Sequence, residues 1–403
     1  MVIFSVTIAR MFKQLKNWLA NQRSFLFSWY TKDSQETQEP ERSLTELPPE
    51  TKKQLVDLVQ NLPNNPIEQE AISVKLDEAW KRWREDPNNA NNSVVILSSP
   101  ITAVSIIISE TMKKWSQQKQ IDIKLLPLTA RPTEITDIKA KLEHFLKYKS
   151  EKENHDEKSV EVMVIPNLGW CFLRSLNGLE GIEYLQSLLC QHFQHRFWVI
   201  GAGQVGWEYL DLVCNLSAYC GETFVLPEVS PENLQTWLNP IVEQLSVTFD
   251  RPRIDQQLLK NDKDDQTRYF ESLANVAEGV STIAVQVFLK SIYQQVENDD
   301  QNEEEQAKSK PNPLAKTPQL PNLPSIDSID RYILYSLLLH NDLTMSALAE
   351  SLGDGEGEVQ GRVQVLRRKG IIEQQNKILK INPIHYPKLK QELDSNNFII
   401  SGN

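Results

Sequence analysis

The chain has 403 residues, 40% of them hydrophobic and 24% charged, with a formal net charge of −11. That length holds two or three domains, and the acidic balance excludes a surface built throughout for nucleic acid. Its four cysteines, Cys171, Cys190, Cys214 and Cys220, are irregularly spaced in apolar text, which argues against a disulfide framework and for a reduced, cytoplasmic chain.

Residues 1–31 are expected to form a helix, because Phe4, Ile8, Met11, Phe12, Leu15, Trp18 and Leu19 recur at helical spacing. Residues 1–32 carry Arg10, Lys13, Lys16, Arg23 and Lys32 and no acid. With Trp18 and Trp29, these cations suit the headgroups of an anionic membrane, so peripheral placement at an inner membrane face is one reading. The other readings are a helix docked on its own protein and a leader before a start at Met11. No apolar run approaches the roughly 20 residues of a membrane span, and no signal-peptide cleavage site follows the first apolar residues. Residues 33–49, with Pro40, Pro48 and Pro49, read as a linker. Helices are expected over Glu50–Leu62 and Pro66–Arg84, the second burying Leu76, Trp80 and Trp83 on one face.

The first strand-turn-helix is Val94–Leu97 followed by Val104–Gln117. A Walker A motif, G-x-x-x-x-G-K-[ST], belongs in this context. The frame instead gives Ser98, four residues, then Ala103, Val104 and Ser105. Both glycines are replaced, and valine stands where lysine would reach the β/γ-phosphates.

Strands and helices then alternate. Strands are expected at Ile121–Pro127, Val160–Pro166, Phe197–Gly201 and Glu222–Leu226, and helices at Thr133–Lys147, Gly178–Gln191, Trp207–Leu216 and Pro231–Glu243. Tyr148–Lys158 is a charged loop. Five strands spaced by helices predict an α/β fold, a five-stranded parallel sheet covered on both faces, over residues 50–244 with the two N-terminal helices. Residues 245–296 predict a helical lid, with helices Gln266–Val276 and Val280–Val296. Residues 297–324, acidic and then Pro-rich, predict a disordered linker. Residues 325–403 hold three helices, Ile329–Leu339, Met345–Leu352 (N-capped by Thr344) and Glu356–Lys369 (ended by Gly370), then strands Ile371–Glu373 and Ile378–Ile381. That order is a winged helix.

On these grounds residues 76–393 resemble the AAA+/STAND class of P-loop ATPases. VEVMVIPNLGWCFLRSLNGLEGIEYLQSLL is similar to a Walker B strand and its helix, RFWVIGAG to a sensor 1 strand, ETFVLPEVSPENLQTWL to the last core strand, and YFESLANVAEGVSTIAVQVFLKSIY to a lid helix. The resemblance implies a nucleotide site, but each catalytic position departs from it. Pro166 and Asn167 stand where Walker B acids would hold Mg²⁺. Residues 207–222, where an arginine finger would lie, contain no Arg or Lys, and the lid helix has no cation from Val280 to Leu289. Losing all of these removes the electrostatic stabilisation that phosphoryl transfer needs. The expectation is no enzyme activity, no cofactor and no small-molecule substrate.

A rival motif, Gly201, Gly203 and Gly206 in VIGAGQVG with Glu228 downstream, has the spacing of a dinucleotide fingerprint. It lies on the fourth strand of five, too late to open a dinucleotide-binding sheet, so close helix–strand packing is the expected use of these glycines. Cys190, His192 and His195 lack a fourth ligand at recognisable spacing, so no metal is expected. The winged helix raises DNA binding through Arg362, Arg367, Arg368, Lys369 and Lys377, but Asp354, Glu356 and Glu358 crowd the N-terminal half of the recognition helix. The sequence therefore predicts a non-catalytic scaffold with protein partners. A DNA-binding regulator is the alternative, and a nucleotide-sensing switch without turnover the second.

Overall fold

The computed structural model describes residues 44–128, 130–146, 160–191, 195–250, 264–295 and 312–400. The expected N-terminal helix, with Arg10, Lys13, Lys16, Trp18, Arg23 and Trp29, lies outside these residues, as do the loop 148–158 and His192. The chain divides into two compact units. Among the described residues, one joins 68–227 to 323–400, and the other joins 44–67 to 228–322.

The first unit is built on five parallel strands: β1 (Ser93–Ser98), β2 (Ile123–Leu125), β3 (Glu161–Ile165), β4 (Arg196–Gly203) and β5 (Glu222–Val225). Their spatial order is β2-β3-β4-β1-β5. Every residue of β1 and β4 is buried. This is why VVIL and FWVI read as continuous apolar runs and not as alternating ones. Val95 pairs with Ile200 on one side of β1, and Ile96 with Phe224 on the other.

Helices Pro66–Glu85 and Val104–Lys119 share one apolar cluster with the sheet, including Ile72, Leu76, Trp83, Ile107, Met112, Trp115 and Phe197. Trp80 meets Trp115 and Phe197 edge-on, at 5.7 and 5.4 Å between ring centres. The tryptophans of this helix are therefore core packing, as their spacing predicts.

The winged helix belongs to the same unit. Its helices span Ser328–His340, Met345–Leu352 and Glu356–Arg368. Asp327 and Asp330 form a capping box on the first, and the Thr344 hydroxyl accepts from the Ala347 N–H at 3.2 Å on the second. The wing pairs Ile372–Gln375 with Ile378–Ile381 through Asn376 and Lys377, both at positive φ, as a two-residue hairpin turn demands. A short third strand, Leu343–Thr344, pairs with Thr344 opposite Ile378. A helix at Tyr386–Asp394 follows the wing.

The second unit departs most from expectation. It holds helices Pro49–Gln60, Pro231–Leu245, Asp265–Val276 and Ser281–Ser291, but also a four-stranded sheet of very short strands. The last helix stops at Ser291 instead of running to Val296, and Ile292–Gln295 continues as a strand. That strand pairs with Leu44–Thr45 on one side and Pro313–Ala315 on the other, and Pro313–Ala315 also pairs with Thr248–Phe249. Residues 312–324, expected to be disordered, thus supply a ladder strand, and Ala315 is fully buried. The physical reason is non-local: partners from three distant segments supply hydrogen bonds that no local pattern announces.

Candidate functional site

In open α/β sheets, ligands bind in the crevice beyond the carboxyl ends of the strands, where strand order reverses. Here that crevice lies beyond Ser98 of β1, Ile165 of β3 and Gly203 of β4. The loop after β1 is closed on itself. Ala103 has φ −76° and ψ 65°, and the Val104 N–H donates to the Thr102 carbonyl at 2.8 Å, an inverse γ-turn. A donor that a phosphate cradle would present is thus used within the loop. Ser98 is buried, and its hydroxyl donates to the Ser99 carbonyl. Val104 is 1% exposed and sits in the apolar cluster, and Ser105 is buried as well. The lysine position of the motif therefore points into the core.

The end of β3 is likewise engaged. Asn167 is buried, and its Oδ1 accepts the Gly169 N–H at 2.9 Å, capping the 3-10 turn Leu168–Cys171. The Pro166 carbonyl faces Gly201 on β4, where an added β-carbon would meet it at 2.4 Å.

The crevice itself is filled by the chain's own winged helix. The turn after helix Ser328–His340 carries Asn341 at φ +65° and ψ −37°, a positive φ that non-glycine residues seldom adopt. Asn341 Nδ2 donates to the Pro100 carbonyl in the loop after β1, at 2.6 Å. A β-carbon at Gly203, the end of β4, would lie 2.7 Å from that Nδ2, and one at Gly169, after β3, 3.0 Å from Oδ1. One carboxamide therefore lies against the ends of three strands. Two fingerprint glycines serve this approach, Gly203 against Asn341 and Gly206 facing the Leu339 carbonyl, whereas Gly201 packs within the core against Ile108 and Pro166. Glu228 packs elsewhere, against Gly279.

Two arginines hold the turn in place. Arg131 donates from Nε to the Phe172 carbonyl at 2.9 Å, from Nη1 to the Asp342 carbonyl at 2.8 Å, and from Nη2 to the Gly169 carbonyl. Burial pulls its pKa down to about 10, against the attraction of Asp342, so it remains charged at neutral pH. Arg174 donates from Nη2 to the Ser351 carbonyl at 2.9 Å, and its backbone N–H donates to His340 Nε2 at 3.2 Å. His340 is fully buried and packs on Phe172. Burial, then the charges of Arg131 and Arg174, hold its pKa well below the usual 6.5. The Asp342 carboxylate meets Trp170 Nε1 at 3.4 Å and Lys380 at 3.9 Å. Sequence reasoning missed Arg131, Arg174 and the His340–Asp342 turn, because no motif marks them and their partners lie up to 211 residues away.

Of the winged-helix cations, Arg367, Arg368 and Lys377 are exposed. Arg362 is ion-paired with Asp327 and lies 3.6 Å from Asp330, and Lys369 Nζ donates to the Ser325 carbonyl at 2.6 Å. Asp354, Glu356 and Glu358 are exposed beside them. Among the described residues no cluster of His, Cys, Asp and Glu could hold a metal ion, and no helix is long and apolar enough to cross a membrane.

No protein-family model matches the chain, and no curated protein matches it. Solved structures do resemble it at low identity. A RuvB mutant of Thermotoga maritima is 15% identical at a TM-score of 0.32, covering 83% of this chain and 96% of that one. Cdc6p from Pyrobaculum aerophilum is 12% identical at 0.32, covering 84% and 96%. The ORC2 protein of Aeropyrum pernix, solved as ADPNP-ADP complexes, is 12% identical at 0.36, covering 80% and 92%. At these identities and scores the likeness carries no argument about activity. The AAA+-like architecture stands on the element order: a five-stranded parallel sheet in the order 2-3-4-1-5, a mainly helical region, then a winged helix.

Proposed function

We propose that this chain is a non-catalytic AAA+-like scaffold whose nucleotide crevice has been given over to its own winged helix. The observation that carries the reading is Asn341, which bonds the loop after β1 and lies against Gly169 and Gly203, where a nucleotide's phosphates would need room. Val104, buried in the core, adds to it. Isothermal calorimetry with millimolar ATP-Mg²⁺ and a phosphate-release assay test the proposal together. The expected result is neither saturable heat nor turnover. Micromolar binding without turnover would favour the nucleotide-sensing switch instead, and turnover would overturn both readings.

A scaffold acts through partners, and the basic segment 1–32 is the proposed point of contact with a protein or an anionic membrane surface. The DNA-binding alternative draws support from exposed Arg367, Arg368 and Lys377. Against it stand Arg362, already paired with acids, and the exposed Asp354, Glu356 and Glu358. A gel shift on non-specific duplex at about 50 mM salt separates the two, since phosphate contacts are strong there. No shift is the expected outcome.

A further inference from the structure

Four buried polar atoms lie where the winged helix meets the segment after β3, and none has a hydrogen-bond partner among the described residues: Arg174 Nε, Ser175 Oγ, His340 Nδ1 and Ser351 Oγ. They belong to one constellation. Arg174 and Ser175 are neighbours in sequence, the Arg174 guanidinium binds the Ser351 carbonyl, and the Arg174 N–H binds His340 Nε2. His340 is 0% exposed and Ser351 5% exposed, while Arg174 and Ser175 are half-buried.

We propose that Arg174, Ser175, His340 and Ser351 form a buried binding site for a small oxyanion, with inorganic phosphate as its probe. The donor inventory selects that chemistry. His340 Nε2 accepts from Arg174, so in the neutral ring the proton sits on Nδ1, which is then a donor. Arg174 Nε carries a proton, and both serine hydroxyls rotate to donate. Four donors without an acceptor call for a ligand rich in lone pairs, and a tetrahedral oxyanion presents several to neighbours on different sides.

Cations and a carboxylate both bear on the constellation, Glu208 acting on Tyr335 against Arg174. The charges of Arg131 and Arg174 both reach His340. Arg174 also reaches Tyr209 and Tyr335, where it opposes the rise that burial imposes on both hydroxyls. The nearby carboxylate of Asp342 is engaged by Trp170 and Lys380. A buried donor left without an acceptor is costly, so a ligand that accepts from these groups would stabilise the fold. The same constellation joins two segments far apart in sequence, so an ion bound there would hold the winged helix against the core.

The test uses the full chain in thermal unfolding and calorimetry, with potassium phosphate compared against potassium chloride at equal ionic strength. Phosphate is expected to raise Tm saturably, and chloride is not. Ser175→Ala and Ser351→Ala should each weaken phosphate about tenfold, the effect of one lost hydrogen bond of roughly 1.4 kcal/mol. Lys81→Ala, exposed on helix Pro66–Glu85, should leave the affinity unchanged. A phosphate monoester such as phosphoserine should not bind, because its organic group would have to be buried too. Equal shifts in phosphate and chloride would mean that water alone occupies the site and would overturn the proposal. Undiminished affinity in both serine variants, or equal binding of the ester, would place any phosphate elsewhere and overturn it as well. Should Arg174→Gln fail to fold, the serine variants still decide.

Discussion

At the scale of single residues, chemistry turns on which side chains the fold places in the core. Val104 occupies the position where a phosphate-binding loop carries lysine, yet it is 1% exposed and faces apolar neighbours. Val104→Lys is therefore expected to bury an unpaired ammonium, not to restore a site. We predict a loss of more than about 4 kcal/mol by urea denaturation, with no gain of ATP affinity by calorimetry.

His340 gives a second residue-scale prediction. Its pKa is depressed in the folded chain, so the unfolded chain binds the proton more readily. The stability this histidine contributes is present above its unfolded value of about 6.5 and declines as pH falls below it, by about 1.4 kcal/mol per pH unit until the folded value is reached. Urea midpoints at pH 7.5 and 5.5 should show the decline, and His340→Gln should flatten it.

At the scale of elements, the close contact between the winged-helix turn and the strand ends can be measured. Gly203→Ala would place a methyl group 2.7 Å from Asn341 Nδ2, an overpacking worth about 1–3 kcal/mol. In an Asn341→Ala background that penalty should shrink, so a double-mutant cycle by chemical denaturation should return a non-zero coupling. Arg131→Met would leave three carbonyls without their charged donor, and a loss of about 3 kcal/mol is expected in the same measurement.

The elements that sequence made legible are those with strong periodicity or caps. The apolar runs of β1 and β4, the Trp80–Trp83 face and the Thr344 cap all stand where the pattern placed them. The strands Leu44–Thr45 and Pro313–Ala315 did not announce themselves, whereas Thr248–Phe249 falls within Ser246–Phe249, a stretch past Leu226 that reads as a further strand. Each is two or three residues long, and each is held by hydrogen bonds to segments remote in sequence. The site was half legible in the same way. Val104, Pro166 and Asn167 are the positions that the resemblance singles out, and all three lie where β1 and β3 end or lead into the core. What fills the crevice, a single asparagine 241 residues from the carbonyl it binds, is set by topology and carries no local mark.

At the scale of the whole molecule, charge is the feature that sequence states most directly. Residues 1–32 carry five cations and no acid in a chain of net charge −11. Liposome sedimentation of the full chain and of a variant lacking residues 1–32 measures what that asymmetry does. Pelleting with anionic vesicles should be lost on deletion and should weaken as salt rises, as expected for headgroup attraction; equal pelleting of both would remove the membrane arm. The two-segment make-up of the first unit also has a consequence in time. Arg131 must wait for Asp342, 211 residues later in the chain. At roughly 5–20 residues per second, the ribosome takes on the order of 10–40 s to deliver that partner. During this interval the carbonyls after β3 and the ends of β1 and β4 lack their neighbour. The nascent protein thus passes through a stage with an open crevice that the finished one lacks, and a chaperone or a passing anion would meet it only then.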